Sequence, residues 1–316
     1  MGRSYSCNGY VNAILRRSGK TLLVEGVTDK AAMHRLLAEN HAKLIQQINI
    51  DQAGIIEDEE TRSLGNKCKI LHLRNTVEPL LASHPKLGEL FSSLIDREWD
   101  GLELTTQGLE SEWTPPEQAP PHFMTTGHSI ENYYLTFEPV MAFLKLCFSD
   151  SLTGEFINHL ETNYSKILAL AVAFSVCAKE HSYIKRCGDL VSRSDISYND
   201  DRYHFSQSLS TKLAGRQIQS PQAFVEKIND SVNNVWMSSE LTRLTKWLMH
   251  GHLGSDVVWA CVAHAATQFA IPEDVVEQIE RGHQAERERF MFNWLSQNEQ
   301  VADRQPLDNA VQWLTA

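Results

Sequence analysis

The chain has 316 residues, of which 42% are hydrophobic and 22% charged, the balance of a globular protein. Its formal net charge of −11 argues against nucleic-acid binding through a uniformly basic surface, so such contact would need a local basic patch, a divalent cation or a partner. No apolar run reaches the roughly 18–20 residues of a membrane span, and the first twenty residues lack the apolar segment of a secretory signal. Six scattered cysteines without a Cys-x-x-Cys pair disfavour a zinc knuckle or a disulfide scaffold and predict a cytoplasmic protein.

The first 135 residues show the alternation of strands and helices that is typical of a parallel α/β domain. Residues 21–25 form an apolar run of strand length, Gly26 provides a turn, and Thr28 can cap a helix over 29–40. Further strands are predicted at 45–51, 90–95 and 122–125, and further helices at 10–17 and 70–83. The polar segment 102–121 carries four prolines and is predicted to be a loop.

After about residue 136 the pattern becomes mainly helical. Apolar residues recur at a spacing of three to four in the segments 137–148, 154–178, 221–236, 239–250, 255–268 and 272–298. A short β-like stretch near 196–205 interrupts them. We therefore expect an N-terminal helical extension over 1–19, an α/β domain over 20–135 and a mainly helical domain over 136–316.

Acidic side chains follow two of the predicted strands where those strands end. Glu25 closes the first strand, and Asp96 and Glu98 follow the third. Ligands of open parallel sheets bind beyond the carboxyl ends of the strands, so the three carboxylates meet at one edge if these strands are neighbours. Clustered carboxylates repel one another unless a hard cation lies among them, and Mg²⁺ takes oxygen ligands while keeping several waters. The pattern predicts a magnesium site that can align a phosphodiester and activate water.

Three short motifs resemble those of Toprim proteins. The sequence LLVEGVTD (22–29) is similar to the first Toprim motif, a hydrophobic strand that ends in Glu-Gly. The sequence IDREWD (95–100) is similar to the second, an Asp-x-Asp at a strand end, and HSIENY (128–133) resembles a His-x-x-Glu-Asn element of stand-alone Toprim proteins in bacterial anti-phage systems. With a helical C-terminal region, the three motifs most resemble the AriB-type Toprim effectors of PARIS defence systems, which are related to the overcoming-lysogenization-defect (OLD) nucleases. The motifs lie within about 20–135, and the remainder is similar only in architecture.

The resemblance implies a Toprim fold, which is a Rossmann-like parallel sheet with flanking helices, and a metal site. It implies that Asp96 is the principal ligand and that Glu25 is a ligand or a general acid/base. Glu98 stands where Toprim proteins usually carry Asp. Its longer side chain can still bind Mg²⁺ as a second ligand, and Asp100 is a substitute for it.

Three further residues receive roles from the same resemblance. Asp29 and Glu131 are candidates for a second metal ion or for positioning, and His128 for orienting a phosphate or the attacking water. The expected cofactor is Mg²⁺, with Mn²⁺ as the alternative. Asp29 and Glu131 can equally be acids in the first turn of a helix, where the helix dipole favours them.

The resemblance also implies an activity and partners. Proteins of this group act as toxic effectors in abortive infection, so we expect an endoribonuclease whose substrate is RNA, with tRNA as the candidate. An ABC-type ATPase of the AriA kind is implied as the partner that restrains the effector, and a homodimer as its active form. This chain has no P-loop of its own, because Ile14 stands where the first glycine is needed before Gly19-Lys20-Thr21.

Two other functions stay open. An OLD-type DNA nuclease or nickase would use the same carboxylates, and a catalytically inert Toprim scaffold or regulator is favoured by the acidic charge and by Glu98. The sequence His250-Gly251-His252 suggests a metal site, but no third ligand is evident, and a loop between helices explains it better. The basic stretch over 185–216 is either a nucleic-acid face or a solvated surface.

Overall fold

The fold is described from a computed structural model, which covers residues 4–101, 118, 121–236, 241–282, 284–298 and 304–316. The elements up to residue 124 are the helices α1 (Cys7–Arg16), α2 (Val27–His41), α3 (Asn66–Val77) and α4 (Lys86–Leu90) and the strands β1 (Thr21–Val24), β2 (Asn49–Gln52), β3 (Phe91–Ile95) and β4 (Phe123–Met124). The predicted strands at 21–25 and 90–95 therefore lie where the apolar runs placed them.

These strands form a parallel sheet in the order β2-β1-β3-β4. Both β1 and β3 are buried along their whole length. The apolar run of β1 (TLLV) agrees with this, since a strand with both faces covered needs no polar alternation, whereas β3 (FSSLI) buries two serines among its apolar residues. The α/β class predicted from the sequence is confirmed in this form: a parallel sheet with flanking helices, followed by a helical region.

One face of the sheet is covered by α1 and α3. Its apolar core contains side chains from both helices and from the two central strands, including Tyr10, Ile14, Leu23, Ile70, Leu73, Val77, Phe91 and Ile95. Ser93 lies between Phe91 and Ile95 on the same face of β3, because alternate residues of a strand share a face. A polar position is therefore present within an otherwise apolar surface that faces α3.

The elements after residue 136 are mainly helical. The helices are α5 (Phe137–Phe148), α6 (Gly154–Glu180), α7 (Ile184–Cys187), α8 (Ser208–Gly215), α9 (Pro221–Trp236), α10 (Leu241–Leu248), α11 (Gly251–Gln268), α12 (Glu273–Arg281), α13 (Gln284–Gln297) and α14 (Leu307–Thr315). The β-like stretch near 196–205 is an antiparallel hairpin of β5 (Ile196–Asn199) and β6 (Arg202–Phe205). The two residues between its strands, Asp200 and Asp201, both have positive φ angles, as a two-residue turn of type I′ requires.

The described residues divide into two compact units. The first comprises those within Met1–Arg97, Pro115–Thr126 and Glu288–Ala316, and the second those within Glu98–Thr114 and Gly127–Arg287. In the first unit, the C-terminal helix α14 packs against α2, and Lys20 Nζ donates a hydrogen bond of 2.6 Å to the carbonyl of Trp313. In the second, α6 and α11 form the centre of the helical packing. No helix in the described part of the chain is both long and apolar enough to cross a membrane.

Candidate metal-binding site

The structure brings Glu25 and Asp96 together at the carboxyl edge of the parallel sheet. Glu25 follows β1 and Asp96 follows β3, and the two strands are neighbours, with Val24 opposite Leu94. The backbone N–H of Asp96 donates a hydrogen bond of 2.8 Å to Oε1 of Glu25. Two acids that are 71 residues apart in the chain therefore share the edge at which open parallel sheets bind their ligands.

The turn after Glu25 is closed by Asp29. Its Oδ2 accepts a hydrogen bond of 2.7 Å from the backbone N–H of Gly26, and the Asp29 residue is buried. A carboxylate at this position satisfies an N–H group that the beginning of a helix leaves without a partner, and the helix dipole favours it. Asp29 therefore caps the beginning of α2.

A buried lysine lies against the backbone that follows Asp96. Lys67, in the first turn of α3, donates a hydrogen bond of 2.9 Å from Nζ to the carbonyl of Arg97. The N–H of Arg97 in turn donates to Oγ1 of Thr125 at 2.9 Å. A buried ammonium is costly unless it is hydrogen-bonded, so Lys67 is specifically held at this strand end. No sequence pattern pointed to Lys67, because its position depends on how α3 packs against β3.

Glu98 has an unusual backbone conformation. Its φ angle is 54°, in the left-handed region that costs a residue with a Cβ on the order of 1–2 kcal/mol. The N–H of Glu98 donates a hydrogen bond of 2.7 Å to the carbonyl of His128, and the N–H of His128 donates one of 2.8 Å to the carbonyl of Lys246. Both Glu98 and Asp100 are exposed. A strained conformation that is held by hydrogen bonds is a common property of ligand sites.

Asn132 is the centre of the element that contains His128. Its Oδ1 accepts a hydrogen bond of 2.9 Å from the N–H of Ser129, and its Nδ2 donates to the carbonyls of Thr245 at 3.2 Å and Met249 at 2.9 Å. The Asn132 residue is buried, and these bonds fix the element to the end of α10 and the beginning of α11. The sequence motif gave Asn132 no role, since its carbonyl partners are more than a hundred residues away.

The sequence His250-Gly251-His252 packs against the same element. A Cβ at Gly251 would overlap with Oε2 of Glu131, so the close approach of the two segments requires glycine. His252 Nδ1 lies 3.9 Å from Oε1 of Glu131, and the His250 ring centroid lies 4.8 Å from that of His128. Burial lowers the pKa of His250 to about 4, which keeps this ring neutral at pH 7. Glu131 therefore contacts the beginning of α11.

The donor atoms at the sheet edge suit a hard cation. Among the residues whose structure is described, no group of three or more His, Cys, Asp or Glu side chains is arranged to hold a metal ion. Mg²⁺, however, is often bound through only one or two carboxylates, with waters as the remaining ligands. Glu25 and Asp96 are two acids that follow adjacent strands at one edge of the sheet, and the Glu25 carboxylate accepts from the main chain of Asp96. The chemistry of this pair therefore fits a hydrated Mg²⁺ ion.

Within the described part of the chain, two of the six cations in the basic stretch over 185–216 form ion pairs. Arg193 pairs with Glu273 and, at 3.6 Å between Nε and Oε2, with Glu280. Lys212 pairs with Asp195, which is fully buried. These contacts neutralise cations that the sequence offered to nucleic acid, and they favour a structural role for this part of the stretch.

Comparisons with known proteins give no family assignment: no protein-family model matches the chain, and a search of curated proteins found no match. A parallel sheet with flanking helices is shared by proteins of many functions. Functional inference therefore rests on the Glu25–Asp96 pair and on the residues around it.

Proposed function

We propose that this chain is a cytoplasmic, Mg²⁺-dependent nuclease with a Toprim domain that hydrolyses phosphodiester bonds in RNA. The observation that carries the proposal is the pairing of Glu25 and Asp96 at the carboxyl ends of adjacent parallel strands. The order of the three sequence motifs supports it, because the first two motifs contribute these two acids and the third contains His128 and Glu131.

The proposed site uses hard oxygen donors. Asp96 and Glu25 would hold Mg²⁺, with Glu98 as a further ligand from its place two residues after Asp96, and Asp100 as its alternative. When bound, the cation supplies charge neutralisation of the phosphodiester and activation of water. The carboxylate of Glu25, one oxygen of which accepts from the Asp96 N–H, would act as the general base toward the attacking water.

The residues around the acids would act mainly by positioning. Asp29 fixes the turn that follows Glu25, and the carbonyl of His128 holds the backbone of Glu98. Glu131 contacts the beginning of α11. In this proposal, Asp29 and Glu131 need not bind a second metal ion, because each carboxylate already contacts the fold.

The biological role follows from the motif resemblance alone. We propose a toxic effector of anti-phage defence that is restrained by an AriA-like ABC-type ATPase, is active as a homodimer and cleaves tRNA. A local metal site accounts for nucleic-acid contact by a chain of net charge −11, since a bound divalent cation attracts phosphate where the protein surface does not.

A second candidate function is an inert Toprim scaffold. It is favoured by the lack of a three-ligand group among the described residues and by Glu98 in place of the usual Asp. An OLD-type DNA nuclease would use the same acids, so it differs from the first proposal only in its substrate.

The test is induced expression of the chain and of its Glu25→Ala variant, with total RNA and plasmid DNA examined after growth arrest. Glu39→Ala is the matched control, because it also removes one negative charge. Glu39 lies in α2 and forms a partly exposed ion pair with Arg35, which contributes little to stability. We expect growth arrest and cut small RNAs with the native chain and with the control, and neither with Glu25→Ala.

Each other outcome selects an alternative. Nicked or linear plasmid with intact RNA would support the DNA nuclease. Mg²⁺ binding by the purified chain without cleavage of either nucleic acid would support the scaffold. Toxicity that persists in a folded Glu25→Ala variant would refute the assignment of Glu25.

A further inference from the structure

Arg74 is a partly buried cation on the face of the sheet that α3 covers. Its Nε donates a hydrogen bond of 2.7 Å to Oγ of Ser93, and its Nη1 donates one of 2.6 Å to Oε1 of Gln118. Its Nη2 makes two long contacts, of 3.5 Å with the carbonyl of Ser93 and 3.4 Å with that of Phe123. All of these partners are neutral.

The absence of an acidic partner is the feature that needs an explanation. A guanidinium that leaves water is costly unless a negative charge compensates it. Within the described ranges of the chain, no carboxylate forms an ion pair with Arg74. Burial lowers the pKa of Arg74 to about 10, and the charge of Glu25 opposes this shift, so Glu25 is an acid whose field reaches the guanidinium.

His122 completes the cluster without adding charge. Its Nδ1 lies 2.9 Å from Oγ of Ser93, the hydroxyl that also accepts from Arg74. Burial, together with the charge of Arg74, lowers the pKa of His122 to about 4, so this ring is neutral at pH 7. The cluster of Arg74, Ser93, His122 and Gln118 therefore carries one positive charge.

We propose that this cluster is a binding subsite for a phosphate group of the nucleic-acid backbone, with Arg74 as the residue that binds the anion. The inference rests on the proposed nuclease function, since it places a second backbone phosphate beside the Glu25 site. A guanidinium offers five N–H donors in one plane and binds phosphate oxygens through two parallel bonds. Because both contacts of Nη2 are long, this nitrogen of the Arg74 guanidinium can bind an oxyanion. The charge of the anion would balance the partly buried cation.

A purely structural role for Arg74 is the rival explanation. Its contacts join α3 to β3 and to the beginning of β4, so a variant could fail through loss of stability alone. The salt dependence of nucleic-acid binding separates the two roles. Each phosphate contact with a single strand contributes about 0.7 to the slope of log Kobs against log salt concentration, whereas a structural contact contributes nothing to it.

The experiment measures the binding of a single-stranded RNA oligonucleotide in EDTA at several salt concentrations. Arg74→Gln is compared with the wild type, with Arg74→Lys and with Arg17→Gln. The last variant is the matched control, because it removes an arginine of the same unit whose guanidinium already pairs with Asp51 at 2.6 Å. Thermal unfolding of each variant shows whether it is folded.

We expect Arg74→Gln to reduce the slope by about 0.7, and Arg74→Lys and Arg17→Gln to keep it. Arg74→Lys should still bind more weakly than the wild type, since a lysine cannot form two parallel bonds. An unchanged slope for folded Arg74→Gln, in a wild type that cleaves RNA, would overturn the subsite and leave the nuclease function intact. If Arg74→Gln does not fold, Arg74→Lys provides the test. The subsite would be overturned if the slope of Arg74→Lys falls by about 0.7, or if Arg74→Lys binds RNA as tightly as the wild type.

A second readout does not need nuclease activity. At matched ionic strength, inorganic phosphate in place of chloride should raise the unfolding temperature of the wild type more than that of Arg74→Gln. If the wild type neither binds RNA in EDTA nor cleaves it with Mg²⁺, the proposed function fails, and equal phosphate shifts in the two proteins would then overturn the anion site as well. If the wild type cleaves RNA but does not bind it in EDTA, the phosphate shifts alone decide the anion site.

Discussion

Replacing Asn132 by alanine should loosen the backbone of Glu98 although the two side chains belong to different elements. Asn132 fixes the turn that begins at His128, and the carbonyl of His128 accepts the N–H of Glu98. The left-handed conformation of Glu98 is unfavourable by itself, so it persists only while this support remains.

The cost to stability can be worked out from the bonds that are lost. Truncation leaves the N–H of Ser129 and the carbonyl of Met249 without the partners that Asn132 gives them, whereas the carbonyl of Thr245 keeps its bond from the Met249 N–H. A buried polar group that loses its partner costs about 1–3 kcal/mol. For two such groups we expect the free energy of unfolding to fall by about 2–6 kcal/mol.

Two further measurements distinguish positioning from stability. The Glu98 amide should exchange its hydrogen faster in Asn132→Ala. With Glu98 as the proposed Mg²⁺ ligand, calorimetric titration should also show Mg²⁺ affinity weaker by about 10- to 100-fold, the usual effect of removing a residue that orients a metal ligand. Asn163→Ala is the matched control, because Asn163 is also buried and hydrogen-bonded, with His159, Lys166 and Tyr198.

We expect Asn163→Ala to lower stability while leaving Glu98 exchange and Mg²⁺ affinity as in the wild type. If Asn132→Ala folds and leaves both of these readouts unchanged, the support of Glu98 by this turn would be refuted. If both variants weaken Mg²⁺ binding equally, the effect of Asn132→Ala would be one of general destabilisation.

Three other predictions follow from single observations. Glu98→Gly should be at least as stable as Glu98→Ala, with a free energy of unfolding up to about 1 kcal/mol higher. Glycine removes the left-handed strain, and its entropy cost only partly offsets this gain. Urea denaturation that shows the glycine variant to be less stable would contradict this prediction. Burial raises the pKa of Asp256 from 3.8 to about 6, so the stability that its protonated form contributes below pH 4 is lost as pH rises through 6. Asp256→Asn removes the charge and keeps an acceptor for the N–H of Asp189. It should therefore stabilise the protein at pH 7, by up to roughly 3 kcal/mol, and have little effect at pH 4. Denaturation curves that shift equally at both pH values would count against this prediction. Lys67→Met should lower the free energy of unfolding by about 1–3 kcal/mol because the buried carbonyl of Arg97 loses its donor, and unchanged stability would show that this bond is dispensable.

The strands richest in apolar residues could be located closely from the sequence, whereas the bounds of the more polar β2 could not. The runs at 21–25 and 90–95 coincide closely with β1 and β3, since burial of both faces favours apolar residues along the strand. The prediction over 45–51 was wrong in part, because its first residues form a 3₁₀ helix and β2 covers Asn49–Gln52. The predicted helix over 272–298 is α12 and α13 in the structure.

The sequence by itself determined the α/β class, the helical character of the second half and the two acids at strand ends. It could do so because these features depend on local order: burial along one strand, periodicity along one helix, and the residue that follows a strand. Asp29 was also identified from the sequence, in its role as an acid of the first helical turn.

Only the tertiary structure decided which distant residues meet. It placed β1 beside β3, so that Glu25 accepts from Asp96, and it placed Arg74 on Ser93 and Asn132 on Met249. It also returned residues 288–316 to the unit that contains the sheet. The physical reason is that a hydrogen bond or an uncompensated charge depends on distances across elements, and no local periodicity of the sequence encodes those distances.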